Sequence, residues 1–328
     1  MCREMNAPKE RVLVTGAAGF IGSHLTERLL AAGHHVTALD NFDPFYPETL
    51  KRQNLEAALA HPNFTFVEGD CAVPADVERA FEQRPDVIVH LAAKAGVRPS
   101  IADPLGYTRA NIVATQVLLE AARRHDVSRI VFGSSSSVYG NNEKVPFSEE
   151  DPVEHPISPY AATKRAGELI CHTYHHLFGM GVMSLRFFTV YGPRQRPDLA
   201  IRKFATLLHR GEPIPFYGDG SSERDYTWID DILQGVVAAI DRTRTHPGEF
   251  EIINLGESRT TSLSKLVGLI ASSLNVEPNL QRLPMQPGDV NRTFADVSKA
   301  KRLLGYQPTT PVEVGIPRFI EWFKTCAS

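Results

Sequence analysis

The sequence predicts an α/β protein: a doubly wound, mostly parallel sheet followed by a smaller C-terminal α/β lobe. Three observations lead there. Short apolar runs alternate with helical stretches through the first half, the first run ends in a glycine-rich loop, and the pattern changes near Gly192. Buried runs too short for helices, separated by helices, mean parallel strands joined by crossover connections.

Taken in order, residues 11–15 read as a buried strand and 20–32 as a helix. Further strands are expected at 35–39, 64–67, 86–89, 129–132 and 182–188, with helices at 74–83, 104–124 and 158–178. Beyond Gly192, Pro and Gly cluster at Gly192-Pro193, Gly211-Glu212-Pro213 and Gly218-Asp219-Gly220. Helices are expected there at 199–210, 229–241 and 263–274, with two more near the C-terminus. Residues 1–192 are read as the dinucleotide-binding domain and 193–328 as mainly a substrate lobe, with the chain crossing between them. Such a lobe closes over the carboxyl ends of the strands, where open α/β sheets bind ligands.

Bulk properties exclude several classes. The chain has 328 residues, 42% of them hydrophobic and 22% charged, and a net charge of -3. A globular fold of this size needs no disulfide or metal staple. No global positive field draws it to nucleic acid or an anionic membrane, and no apolar run is long enough to span a bilayer. Cys2, Cys71, Cys171 and Cys326 are scattered without metal spacing, which predicts no metal site and a reducing, cytoplasmic setting. The first residues lack an apolar h-region, so no secretion is expected.

The first strand runs into Gly16-Ala17-Ala18-Gly19-Phe20-Ile21-Gly22. One glycine lets the chain turn off the strand, the next lets backbone N–H groups approach a pyrophosphate, and the last lets the helix pack on the sheet. The helix N-terminus adds partial positive charge. Together these are the marks of a Rossmann-type dinucleotide site. Asp40, ending the second strand, can accept both ribose hydroxyls of an adenosine and would repel a 2′-phosphate, which favours NAD over NADP. Its alternative role is to cap a turn. Asp70 after the third strand is a candidate for the adenine amino group, although Gly69-Asp70 also reads as a turn.

The candidate chemistry lies in Tyr160-Ala161-Ala162-Thr163-Lys164. On a helix, residues four apart share a face. A phenol with a pKa near about 10 is a poor base at neutral pH, and a neighbouring ammonium favours its phenolate. Upstream, Gly133-Ser134-Ser135-Ser136-Ser137 follows a strand at the carboxyl edge of the sheet. Hydroxyls there suit a sugar oxygen on which charge develops.

The glycine loop, Asp40, His90-Leu91-Ala92-Ala93, the serine cluster, Tyr160/Lys164 and Arg186-Phe187-Phe188-Thr189-Val190-Tyr191-Gly192-Pro193 together resemble the extended short-chain dehydrogenases that act on nucleotide sugars. The similarity extends over essentially the whole chain, through Gly288-Asp289-Val290 and Leu304-Gly305-Tyr306-Gln307-Pro308. The resemblance implies that Asn41, Cys71, Leu91, Ala92, Ala93, Lys94 and Asn111 join Gly16, Gly19, Phe20, Ile21, Gly22, Asp40 and Asp70 around NAD, with Tyr160 and Lys164 at its reactive end. It places Ser135 at the catalytic Ser/Thr position, and Ser136, Ser137 and Arg98 near the sugar. Arg224 matches a diphosphate-binding arginine, Tyr217 an aromatic near the base and Asp289 a carboxylate on the uridine ribose. Core packing for Tyr217 and turn capping for Asp289 are the alternatives.

Within that family, sugar-nucleotide dehydratases carry an Asp-Glu pair where this chain has Ser136-Ser137, and UDP-glucuronate decarboxylases a glutamate at the Ser137 position. A cluster of hydroxyls alone favours epimerisation, which needs one base and a returning hydride. Asn41-Phe42-Asp43-Pro44-Phe45-Tyr46 with Leu50-Lys51-Arg52, Ala95-Gly96-Val97-Arg98 with Ser100-Ile101, and 189–198 resemble the UDP-glucuronate 4-epimerase subgroup. Thr189 and Arg196 suit a substrate carboxylate, although Arg196 also reads as a solvent-facing loop residue. UDP-galactose 4-epimerases carry asparagine at Thr189 and a second arginine at Gln286. Lys94, Pro99 and Trp228 depart from the subgroup, which has glutamine, an aromatic and histidine there. The resemblance further implies a homodimer through helices 104–124 and 158–178. His172, His175 and His176 share a helix but have no third metal ligand nearby, so a dimer-facing or solvated face is expected.

Overall fold

The structure is a computed structural model, described for residues 8–284 and 292–327. Strands form where apolar and β-branched residues run together. The chain begins β1 (Arg11–Thr15), α1 (Phe20–Ala31), β2 (His35–Asp40), α2 (Glu48–Leu59), β3 (Phe64–Glu68), α3 (Pro74–Phe81) and β4 (Val87–His90). Short helices α4 (Val97–Ala102) and α5 (Pro104–Thr108) follow, then a π-helical turn at Arg109–Val113, α6 (Ala114–Arg124) and β5 (Arg129–Ser135). A 3-10 turn (Ser136–Tyr139) precedes α7 (Pro159–Phe178) and β6 (Gly181–Phe187). The remainder comprises β7 (Thr189–Tyr191), α8 (Ala200–His209), β8 (Ile214–Tyr217), β9 (Glu223–Arg224), β10 (Tyr226–Trp228), α9 (Ile229–Thr245) and β11 (Phe250–Leu255). It ends with β12 (Thr261–Ser262), α10 (Leu263–Leu274), β13 (Leu280–Leu283), α11 (Ser298–Leu304) and α12 (Val312–Ala327).

Seven strands build one sheet in the order β11-β6-β5-β4-β1-β2-β3. β1 pairs in parallel with both β2 and β4, in register from Arg11↔His35 to Thr15↔Leu39 and from Val12↔Val87 to Thr15↔His90. Because β1 is followed by β2 on one side while β4 lies on the other, the strand order reverses at β1, the place where such sheets open a ligand crevice. The core beside the sheet includes Leu13, Leu39, Ile88, Ile130, Phe132, Leu118 and Leu119.

Two compact units result. The first holds the chain up to Val138 with Pro156–Arg186 and Val236–Ile253, and the second holds Tyr139–His155, Phe187–Gly235 and the chain from Asn254 onward. The chain crosses between the units more than once: β11 takes the sheet edge beyond β6, and the preceding stretch from Val236 belongs to the first unit. The second unit contains three strand pairs (β7 with β10, β9 with β12, β8 with β13), and between β9 and β10 lies the fully buried Asp225. Its carboxylate accepts from the amides of Glu257 (2.8 Å), Ser258 (3.0 Å) and Ala295 (3.1 Å).

Most expected elements appear within a few residues of their predicted bounds. The expected helix at 104–124 is instead α5, the π turn and α6, and α4 precedes it. Asp103 leaves the helical region (φ -133°) between α4 and α5 and caps α5, accepting from Gly106 N at 3.0 Å.

Candidate active site

At the carboxyl end of β1, Gly16 adopts φ +71°, a left-handed conformation that a side chain would strain. A Cβ there would lie 2.7 Å from the Ala92 amide nitrogen, so the loops after β1 and β4 touch backbone to backbone. A Cβ on Gly22 would sit 2.1 Å from the Gly16 carbonyl, which is why α1 can start directly under the loop. No side chain caps α1 and its first turn carries no acid. The amides of Phe20, Ile21 and Gly22 are thus left for an anion, as a pyrophosphate requires.

Asp40 is 8% exposed, and its carboxylate accepts from Ala18 N (3.0 Å) and Phe42 N (2.9 Å). Burial pushes its pKa up, against the pull of those amides and Lys51. Each oxygen retains a lone pair for a ribose hydroxyl, so turn capping and ribose binding are compatible at this residue. Asn41 accepts from Asp43 N (3.0 Å). Asp70 holds the Ala72 amide (2.8 Å) and an ion pair with Arg109 at 2.6 Å, and Cys71 is buried, with its thiol pushed up by desolvation.

The β4 side is fixed by a buried chain of hydrogen bonds that the spacing did not reveal. Thr115 donates its hydroxyl to Asn111 O (2.6 Å), so it accepts from His90 Nε2 (3.0 Å), and His90 Nδ1 accepts from Thr15 (2.7 Å). Burial, helped by Lys164, pushes His90 down to about 3, leaving the ring neutral. Thr15 also accepts from Ala92 N at 3.2 Å and its carbonyl from Leu91 N, next to half-buried Ala93. Asn111 lies in the π turn and uses its whole amide on protein groups. It accepts from Lys94 N (2.8 Å) and donates to Lys94 O (2.9 Å) and Thr163 Oγ1 (2.9 Å).

The catalytic candidates share the first unit. α7 starts where Ser158 caps it, accepting from Ala161 N at 3.1 Å, with Pro159 in the first turn, and ends at left-handed Gly179. Tyr160 is half-buried and meets the Tyr107 ring edge to face at 6.2 Å. Lys164 is buried, donates to Gly133 O at 2.6 Å and lies over the Phe132 ring. Desolvation pushes its pKa down to about 8. At the end of β5, Ser137 Oγ donates to Ser135 Oγ at 2.9 Å, and Ser137 N bonds the same oxygen. Ser136 is half-buried beside them. Ser134 faces the interior instead, donating to Glu168 Oε1 at 2.6 Å. Glu168 is the residue missed: it takes a two-pronged ion pair from buried Arg186 (2.8 and 2.9 Å) and another from Arg165. Burial pushes Glu168 up, but Arg186 and its other partners outweigh it and hold the carboxyl below its usual value.

Arg98 is exposed on α4. In the second unit, Thr189 opens β7 opposite Tyr226. Arg196 is bound through two bonds to Asp198 (3.0 and 2.7 Å). Tyr217 ends β8 half-buried, and Arg224 lies in β9 opposite Thr261, donating to Glu223 O at 2.9 Å. Trp228 packs on Tyr191 and bonds Asp230, and so serves the interior. Gln286 and Asp289 lie outside the described residues. His172 and His175 pack against Phe250, and no metal-holding cluster occurs among the described residues.

A glycine loop at the switch point of a parallel sheet, with Tyr160 and Lys164 on the helix beside β5, defines a dinucleotide-dependent α/β enzyme fold of the short-chain dehydrogenase type. The chain belongs to the NAD dependent epimerase/dehydratase family, which it matches over residues 12–256. It is 39% identical to a probable UDP-glucuronate 4-epimerase of Rhizobium meliloti, covering 95% of this chain and 96% of that one. It is 41% identical to UDP-glucuronate 4-epimerase 3 of Arabidopsis thaliana over 95% of this chain and 76% of the relative. The crystal structure of UDP-glucuronic acid 4-epimerase from Bacillus cereus with UDP-glucuronic acid and NAD superposes with a TM-score of 0.90 at 38% identity, covering 96% and 99% of the two chains.

Proposed function

We propose that this chain is an NAD-dependent UDP-sugar 4-epimerase that interconverts UDP-glucuronate and UDP-galacturonate through a transient 4-keto sugar. The observation that carries the reaction type is the hydroxyl pair Ser135–Ser137 at the end of β5, with serines rather than acids at 136 and 137, together with Tyr160 and Lys164 on α7. The named relatives carry the sugar. Gly16, Gly19, Gly22 and the first amides of α1 suit a pyrophosphate, and Asp40 suits a ribose, so the residues present fit NAD. When bound, NAD supplies a hydride acceptor at C4 that returns the hydride to the opposite face.

The protein's own part is proton movement and orientation. Tyr160 takes the O4 proton and later gives it back. Lys164, still largely protonated at neutral pH, stabilises the phenolate. Ser135 and Ser137 bond O4 as charge develops there. A 4-keto uronate is a β-keto acid able to lose CO2, and a site that offers hydroxyls gives no carboxylic acid to assist that loss. His90, Asn111 and Glu168 act through neighbours, as positioning residues. We assign the cofactor and the chemistry to the first unit, and the uridine diphosphate and sugar mainly to Arg224, Tyr217, Asp289, Thr189 and Arg196. Leu105 (81% exposed), Val113, Leu169 and Leu177 on α5, the π turn and α7 support a homodimer. The free thiols of Cys71, Cys171 and Cys326 support a cytoplasmic location.

The Arg196–Asp198 pair favours a second reading, UDP-glucose 4-epimerase, because a substrate carboxylate must compete with Asp198 for the guanidinium. One assay separates them: purified protein with UDP-glucuronate, followed by mass and proton NMR. An unchanged mass with an inverted H4 signal is expected. Loss of CO2 identifies a decarboxylase, and turnover of UDP-glucose alone overturns the uronate assignment.

A further inference from the structure

Lys94 departs from its subgroup, and the structure shows where its charge goes. Its backbone is clamped on both sides by Asn111. Its ammonium reaches Asp103 Oδ2, in the cap of α5, at 2.9 Å and Asp43 Oδ2 at 3.9 Å. Asp43 belongs to the loop after β2 and is itself held: its amide donates to Asn41, its Oδ1 accepts from Phe45 N and its carbonyl from Lys51 Nζ at 2.7 Å.

The sheet order gives this contact its meaning. Lys94 follows β4, Asp43 follows β2, and β1 with its glycine loop lies between those strands, all three running parallel in register. Neighbouring strands are about 4.8 Å apart, so the ends of β4 and β2 stand about 10 Å apart with the glycine loop in the gap. An ion pair from Lys94 to Asp43 therefore crosses the carboxyl end of β1, over the ground assigned to the dinucleotide.

We propose that Lys94 is a strap across the dinucleotide crevice, joining Asp103 on one side to Asp43 on the other and slowing release of the cofactor. The inference rests on the NAD reading above. Its charge is matched by two carboxylates, so it closes the crevice without acting as a phosphate ligand. Part-exposed pairs of this kind are modest and screened by salt, so the effect belongs in the dissociation rate rather than in whether NAD binds.

The test measures NAD release from the purified full chain by stopped-flow fluorescence, chased with excess unlabelled nucleotide, for the unaltered protein, Lys94→Gln, Asp43→Asn and the double variant. Each single variant is expected to release NAD about two- to five-fold faster, and the double variant no faster than the singles. Release from the unaltered protein should quicken between about 0.01 M and about 1 M salt, as the screening length falls from about 30 Å to about 3 Å, whereas Lys94→Gln should respond less. Faster release in Lys94→Gln with no change in Asp43→Asn would mean that Lys94 holds the phosphates directly, and would overturn the strap. Equal rates in all four proteins overturn it as well. Failure of the unaltered protein to bind NAD at all would instead sink the cofactor reading.

Discussion

Tyr160 and Lys164 stand one helical turn apart, but their environments differ: the phenol is half-buried, the ammonium fully so. Desolvation pushes Lys164 down to about 8, so the charge that favours the phenolate disappears as pH rises through that value. The expected kcat/KM for UDP-glucuronate therefore falls above about pH 8. A rate that kept climbing toward the ordinary phenol pKa of about 10 would contradict this role for Lys164. Tyr160→Phe should lower kcat by about 10²–10⁴-fold, the usual worth of a general base, with NAD still bound; an active variant overturns the mechanism. These residues were legible because their meaning lies in short spacings, Y-x-x-x-K and the glycine loop. Glu168 and His90 were not read as part of the site because their partners, Arg186 for one and Thr15 and Thr115 for the other, come from distant strands and helices. Only folding shows which polar groups are buried together.

At the scale of elements, α7 is the part whose position matters most, and a buried ion pair sets it. Glu168 joins α7 to Arg186 on β6 and to Ser134 on β5. Removing the carboxylate leaves a buried guanidinium uncompensated, which costs about 3–5 kcal/mol. Glu168→Ala should lower stability by that amount in urea titration, and a loss below about 1 kcal/mol would show that α7 is held by packing alone. The bounds of α7 were readable from Ser158-Pro159 at its start and Gly179 after its end, since caps are local chemistry. α2 was not read, because its inward face carries Lys51 and Asn54 beside Leu55 and Ala58 and so lacks an apolar stripe. Nor was α4 read before Pro104, or the π turn that interrupts the helix expected at 104–124. β11 was missed for another reason: nothing within its six residues says that it returns to the sheet edge beyond β6.

Across the whole molecule, the second unit is organised around charge that the proposed reaction does not use. Asp225 is satisfied by three amides, but Glu257, 7% exposed, has an Oε2 with no hydrogen-bond partner among the described residues. Burial, with Asp231 and Asp225 nearby, pushes its pKa up to about 7 from 4.5. The folded protein therefore binds this proton more tightly than the unfolded chain does. Between about pH 4.5 and about pH 7 the stability from Glu257 is lost as pH rises, because ionisation then opposes folding. Glutamine imitates the protonated form at every pH. Glu257→Gln should accordingly raise the melting temperature at about pH 8, by the equivalent of about 1 kcal/mol after solvent screening, and change it little at about pH 4.5. Equal effects at both pH values would show that Glu257 titrates normally. A loss of stability at about pH 8 would show that the ionised carboxylate is a favourable part of the fold, and that its free oxygen meets a donor in solution.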